Sequence, residues 1–112
     1  MRLPSLIREV WANLVKKPAT VKYPFRRLPV SPRFRGRHEL LRDRCTGCGL
    51  CADICPAFAI SMIEVNGKKY PSIDLGKCIF CYQCEDVCPR GAIRRSRDFE
   101  LASWRREDLI LR

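Results

Sequence analysis

Near the start of the chain the apolar residues Leu3, Ile7, Val10, Trp11 and Leu14 recur at helical spacing within LPSLIREVWANLVKKP. The pattern predicts a short amphipathic helix, with Pro4 tolerated in its first turn and Pro18 as its stop. Beyond it, in PATVKYPFRRLPVSPRFRGRH, the periodicity ends: Pro18, Pro24, Pro29 and Pro32 interrupt the chain and neighbouring cations repel compaction. That composition predicts an extended arm, which needs a partner surface to order Tyr23, Phe25, Leu28 and Phe34. Further on, AISMIEVNGKKYPSIDLGKC carries apolar residues on both sides of Asn66-Gly67, the signal of a two-residue hairpin. Ile60 to Val65 and Lys68 to Ile73 are the expected strands, and Pro71 implies a sheet edge. The last segment, RRSRDFELASWRREDLILR, is charged yet holds Phe99, Leu101, Trp104 and Leu109, which marks a tail that clamps onto another surface. No stretch reaches the roughly eighteen uncharged apolar residues that a membrane span needs. The first helix is therefore expected to lie on a partner subunit or at a membrane interface.

Cysteine punctuates this pattern twice. CTGCGLCADICP, residues 45–56, returns as CIFCYQCEDVCP, residues 78–89, with every cysteine shifted by thirty-three positions. The same offset pairs Asp53 with Asp86, Pro56 with Pro89, Ala59 with Ala92 and Ile60 with Ile93, so the match extends past the cysteines and reads as an internal duplication. All eight cysteines fall in these two runs.

Three cysteines in a row at CxxCxxC spacing, with His38 as the sole histidine, are poorly suited to a tetrahedral zinc site, which is built from two separated pairs or from Cys/His mixtures. Disulfides are the weaker rival: Arg8 and Glu9 interrupt the apolar start, so nothing resembles a secretory signal. The C-x2-C-x2-C-x3-C-P run is the bacterial ferredoxin pattern, in which three thiolates hold one iron-sulfur cubane and the fourth reaches across to the other. By that rule Cys45, Cys48, Cys51 and Cys88 ligate one [4Fe-4S] cluster, and Cys78, Cys81, Cys84 and Cys55 ligate a second. Single helical turns are expected after Cys51 and Cys84. Ile54, Phe58, Ile60, Ile79, Phe80, Val87 and Ile93 are expected to screen the clusters from water, which tunes their potentials. Tyr82 has an electron relay as one reading and a packing aromatic as the commoner one.

Composition adds a limit and a division. The chain has 112 residues, room for one small domain, and the 49 residues from Cys45 to Ile93 cannot bury enough apolar surface to be stable without metal. Cluster insertion and folding are expected to be one event. The net charge of +10 would suit a nucleic-acid binder, but residues 1–44 carry +9, residues 45–93 carry −1 and residues 94–112 carry +2. The basicity lies in the arms. With about −2 for each oxidised cubane and its thiolates, the core falls to about −5. Zinc-stabilised nucleic-acid binding is thus the rival from another class, and nucleic acid is not the expected partner. No cysteine precedes Cys45, so neither cluster is expected to depend on residues 1–44.

Taken together, KKPATVKYP and SPRFRGRH before the first cluster, RCTGCGLCADICP and KCIFCYQCEDVCP at the ligands, and DFELASWRREDL at the end resemble the two-cluster ferredoxin-like subunit of respiratory complex I and of membrane-bound [NiFe] hydrogenases. Twenty-two residues separate Cys55 from Cys78, which resembles the compact form in ferredoxin-linked hydrogenases. The resemblance implies an α+β fold: a duplicated 2[4Fe-4S] ferredoxin core at 45–93, an N-terminal amphipathic helix and docking arm at 1–44, and a docking tail at 94–112. It implies a non-catalytic electron-transfer subunit, peripheral on the cytoplasmic face of the membrane. Its expected partners are a catalytic subunit with its own cluster and a ferredoxin-like donor. The alternative is a soluble two-cluster ferredoxin, which has no need of the basic arm.

Overall fold

A computed structural model describes residues 5–112, so Leu3 and Pro4 of the expected helix lie outside the described residues. The helix α1 spans Ser5–Val15 and buries none of its residues. Its apolar side chains Leu6, Val10, Trp11 and Leu14 are all exposed. The molecule is drawn out, with a radius of gyration of 21.7 Å and extents of 80 × 26 × 25 Å, against about 13 Å for a compact domain of about this length.

The core consists of two small antiparallel sheets and two single-turn helices. Strand β1 (His38–Leu40) pairs with β4 (Ile93–Arg95), the two being joined through the helices α2 (Leu50–Asp53) and α3 (Gln83–Asp86) and the hairpin between them. The hairpin strands β2 (Ile60–Val65) and β3 (Lys68–Asp74) meet at Asn66 and Gly67, both at positive φ, the conformation of a tight two-residue turn. A short β5 (Ile110–Leu111) adds to the far side of β3 at Ile73 and Asp74 only. Pro71 therefore sits in a strand that is central by order yet has no neighbour on that side at Pro71, which is where a residue without an N–H is tolerated.

The thirty-three-residue offset recurs in the backbone. His38 faces Arg95 and Leu40 faces Ile93 in one sheet, as Pro71 faces Met62 and Ile73 faces Ile60 in the other. Left-handed residues pair at the same offset: Gly47 with Phe80, Gly49 with Tyr82, and Phe58 with Gly91. Ile60, Ile73, Leu75 and Ile93 form the apolar centre together with Cys51 and Cys84.

The arm and the tail, each expected to seek a foreign surface, meet each other. The Arg37 N–H donates to the Asp98 carbonyl at 2.7 Å, and the Ser96 N–H donates to the Arg37 carbonyl at 2.9 Å. Phe99 lies between Tyr23 and Phe34, with ring centroids 6.1 and 6.3 Å away, and the Tyr23 hydroxyl donates to Glu100 at 2.6 Å. Gly36 permits this approach, since a Cβ there would run into the carbonyl oxygens of Asp98 and Ser96. Farther along, Leu101, Leu109 and Leu111 pack on the core, while Trp104 stays fully exposed. β1, although it precedes Cys45, is part of the core.

Candidate metal centres

The cysteines line the walls of two cavities of similar size. The first, about 360 Å³ counting space open to solvent, is lined by Cys45, Cys48, Cys51 and Cys88, with Pro71 and Ile93 beside them. The second, about 320 Å³ on the same measure, is lined by Cys78, Cys81, Cys84 and Cys55, with His38 and Tyr82. Each cavity thus draws three cysteines from one motif and the last from the other. A larger groove along Ser61, Ile63 and Ser72 holds no cysteine and is open to solvent.

The local backbone explains the crossing. After Cys55 and Cys88 the chain turns through Pro56 and Pro89, and the N–H four residues on returns to the sulfur: Ala59 to Cys55 Sγ and Ala92 to Cys88 Sγ, both at 3.3 Å. The Phe80 N–H donates to Cys78 Sγ at 3.4 Å. Amide donors favour the thiolate form of the sulfur they face. At Cys88 burial pushes the thiol up, but the amides of Ala92, Arg90, Ile93 and Gly91 outweigh it and hold the group below its ordinary value. Elsewhere burial wins. It raises the Cys51 and Cys78 thiols, and with the nearby Cys78 and Cys81 it pushes Cys84 up to about 12. Thiolates crowded into an apolar wall require positive charge among them, which is what iron supplies.

Among the described residues, no three His, Cys, Asp or Glu side chains lie close enough to hold one metal ion. Zinc would need its four sulfurs about 2.3 Å from a single centre. Sulfurs spread around a shared cavity suit a larger group, and the donor set fits an iron-sulfur cluster.

The screening residues divide. Ile60 and Ile93 are buried, and Phe80 and Val87 are half-buried, as expected. Ile54, Ile79 and Phe58 are not: they are 45%, 63% and 84% exposed. The loop segments that carry them, just after α2 and before α3, lie at the surface of so small a core, and no second layer among the described residues covers them. Tyr82 is a packing residue: it is 1% exposed, its hydroxyl donates to the Gly36 carbonyl, and Arg95 lies over its ring at 5.4 Å. Burial pushes its phenol up to about 12.

Sequence reasoning missed His38, which it used only to argue against zinc. The ring is 1% exposed and stacks on Tyr82 with centroids 4.3 Å apart, and burial holds its imidazole below the ordinary range. Neither ring nitrogen has a hydrogen-bond partner among the described residues. The sequence signal that could have singled it out is its position, thirty-three residues before Pro71 at the head of a matching strand.

The 4Fe-4S dicluster domain family matches residues 44–92, the stretch that holds both cavities' cysteines. NADH-quinone oxidoreductase subunit I 1 of Symbiobacterium thermophilum is 45% identical over 116 aligned residues, covering 88% of this chain and 71% of that protein. The chain belongs to the subunit I family of NADH-quinone oxidoreductases. Members of this dicluster family carry two 4Fe-4S clusters, and eight cysteines are available for them here. A chain in the structure of the membrane-bound sulfane sulfur reductase, an archaeal respiratory membrane complex, is 39% identical and superposes with a TM-score of 0.68. The match covers 97% of this chain but 62% of that one, so this chain spans less than two thirds of that structural relative's length. Both relatives extend the likeness beyond the dicluster region into the arm and the tail. No helix among the described residues is long and apolar enough to cross a membrane.

Proposed function

We propose that the chain is an electron-transfer subunit of a membrane-bound respiratory complex, relaying electrons between a donor and a catalytic subunit. The observation that carries this reading is the pair of like-sized cavities, each with three cysteines of one motif and the fourth of the other. In this reading Cys45, Cys48, Cys51 and Cys88 hold one [4Fe-4S] cluster, and Cys78, Cys81, Cys84 and Cys55 hold the second. When bound, such a cluster supplies reversible one-electron chemistry with no substrate bond made or broken. The chain contributes ligation, amide donors to sulfur, and insulation by Ile60, Ile73 and Ile93. The core is read as an internal duplication, supported by the strand registers and left-handed residues that repeat at the thirty-three-residue offset.

Apolar side chains left bare beside the cavities favour a subunit over a diffusible carrier. Leu50 at the first and Ile79 at the second are 44% and 63% exposed, and a neighbouring protein would complete their insulation. Residues 1–44 are read as a docking arm that lends β1 to the cluster domain at 45–93, and residues 94–112 as a docking tail. The proposed partners are a catalytic subunit with its own cluster and a ferredoxin-like donor, at the cytoplasmic face of the membrane. The bacterial relative belongs to an NADH-quinone oxidoreductase and the archaeal one to a sulfane sulfur reductase; the acceptor here is the partner subunit's to determine.

Assembled protein is expected to contain about eight irons and eight acid-labile sulfides. Cys55→Ala should abolish the cluster of Cys78, Cys81 and Cys84 and spare the one beside it in sequence, as read by iron content and low-temperature electron paramagnetic resonance. Loss of the sequence-adjacent cluster would overturn the crossed ligation, and stoichiometric zinc without sulfide would overturn the cluster reading itself.

A further inference from the structure

We propose that His38 is a potential-setting residue that donates an imidazole N–H to an inorganic sulfur of the cluster in the Cys78 cavity, and so makes the two clusters inequivalent. The inference rests on the cluster reading above. It starts from an unpaid polar group: His38 is 1% exposed, lines the second cavity, and has neither ring nitrogen paired among the described residues. A neutral imidazole always carries one N–H, and a buried N–H without an acceptor is rare in folded proteins. The ring cannot turn freely to find one elsewhere, because Tyr82 stacks on it at 4.3 Å and 15° and Phe80 flanks it at 5.6 Å.

The cysteine sulfurs of the cavity do not serve as its acceptor. Cys55 Sγ and Cys78 Sγ take the N–H groups of Ala59 and Phe80, and no cavity sulfur lies in hydrogen-bonding geometry to His38. Glu85, a carboxylate whose charge reaches the ring, is held by Arg95 at 2.8 Å and does not bond His38, which leaves the sulfides that the cavity is read to receive. Hydrogen bonds to cluster sulfur are among the determinants of reduction potential, and a donor stabilises the reduced, more negative state.

The first cavity lacks this donor. Position 71 matches position 38 in both sheet register and offset, lines the first cavity and is equally buried, but it is proline, whose ring offers no side-chain donor. A molecule built from two similar halves therefore has a buried ring donor at this position of one cavity and none at the matching position of the other, whose lining includes Thr46 and Arg90 instead. His38 should make the cluster in the Cys78 cavity more easily reduced than the same cluster without it.

Because His38 is the sole histidine, labelling the full-length, cluster-loaded chain with 15N-histidine marks one site. Pulsed electron paramagnetic resonance of the singly reduced protein, with reduction by radiolysis at low temperature if chemical reductants fail, should show a 15N coupling. That signal should be the one that Cys55→Ala removes. In redox titrations, His38→Phe, which keeps the stacked ring, should lower that cluster's midpoint by the equivalent of about tenfold in its reduced-to-oxidised ratio, about 59 mV for one electron. The other midpoint should stay in place, and His38→Gln, which keeps an N–H, should recover part of the shift. Absence of a 15N coupling in protein that holds both clusters overturns the inference and leaves the cluster reading standing. So does an unmoved midpoint in a fully loaded His38→Phe. Should that variant fail to assemble, the coupling in unsubstituted protein decides alone. Absence of iron and sulfide from the unsubstituted protein would remove the cluster reading and this inference with it.

Discussion

Gly47 and Gly49 look interchangeable in CTGCGLC, yet they meet different surroundings. Both lie at positive φ, where an ordinary side chain costs roughly 1–2 kcal/mol. At Gly47 a Cβ would also stand 2.6 Å from the Lys69 carbonyl oxygen, while at Gly49 nothing lies within 4 Å. Gly47→Ala should therefore bleach the cluster chromophore on heating at a clearly lower temperature than Gly49→Ala, with visible absorbance as the readout; equal midpoints would mean that the hairpin backbone yields. Their counterparts at the offset, Phe80 and Tyr82, accept the same strain as non-glycine residues. Tyr82 offsets it by burying its ring against His38, which propensity alone does not anticipate. The cysteines were legible because ligand chemistry repeats along the chain in a spacing that few other functions require. His38 was not, because what distinguishes it is a missing partner, and only the folded neighbourhood of Tyr82, Phe80 and the cavity reveals that.

Local pattern served well for elements whose partners are close in sequence. Asn66-Gly67 marked the hairpin, with Lys68 to Ile73 extended by one residue to Asp74, and the spacing of Ile7, Val10, Trp11 and Leu14 marked α1. It failed for β1, β4 and β5, which are three, three and two residues long and too short to show a period of two. Their pairings join residues far apart in the chain, so the arm and tail were read as seeking foreign surfaces when much of each finds the other. The consequence is testable by truncation. Without β1, Ile93 loses its partner Leu40, the second cavity loses His38, and the tail loses Arg37. Removing residues 1–17 should leave iron content unchanged, whereas removing residues 1–44 should reduce it sharply, contrary to the expectation that no cluster depends on the segment before Cys45. Full iron content in the longer truncation would show that β1 is dispensable.

At the scale of the whole molecule, charge and apolar surface are segregated. The segment before Cys45 carries +9 and the cluster domain −1 before its cofactors are counted. α1 leaves a row of apolar side chains in solvent, with Ile7, Val10 and Trp11 at 40%, 61% and 68% exposure. A diffusible carrier gains nothing from either feature, while a subunit uses the first for orientation and the second for adhesion. These contributions separate by their response to salt. Replacing Ile7, Val10 and Trp11 by serine should weaken assembly through lost burial, by roughly 1.5–3 kcal/mol for each side chain that the partner fully covers, with little dependence on ionic strength. Arg33, Arg35 and Arg37 make no ion pair with a carboxylate among the described residues. Their replacement by glutamine should weaken assembly strongly at low salt and progressively less as the Debye length falls from about 10 Å at 0.1 M to about 3 Å at 1 M. The measurement is the fraction of chain that co-purifies with the membrane complex in mild detergent across a salt series, with iron content as the control for folding. Full-length protein that stays monomeric and unattached at low salt, or serine variants that assemble as well as the parent, would favour the soluble two-cluster ferredoxin instead.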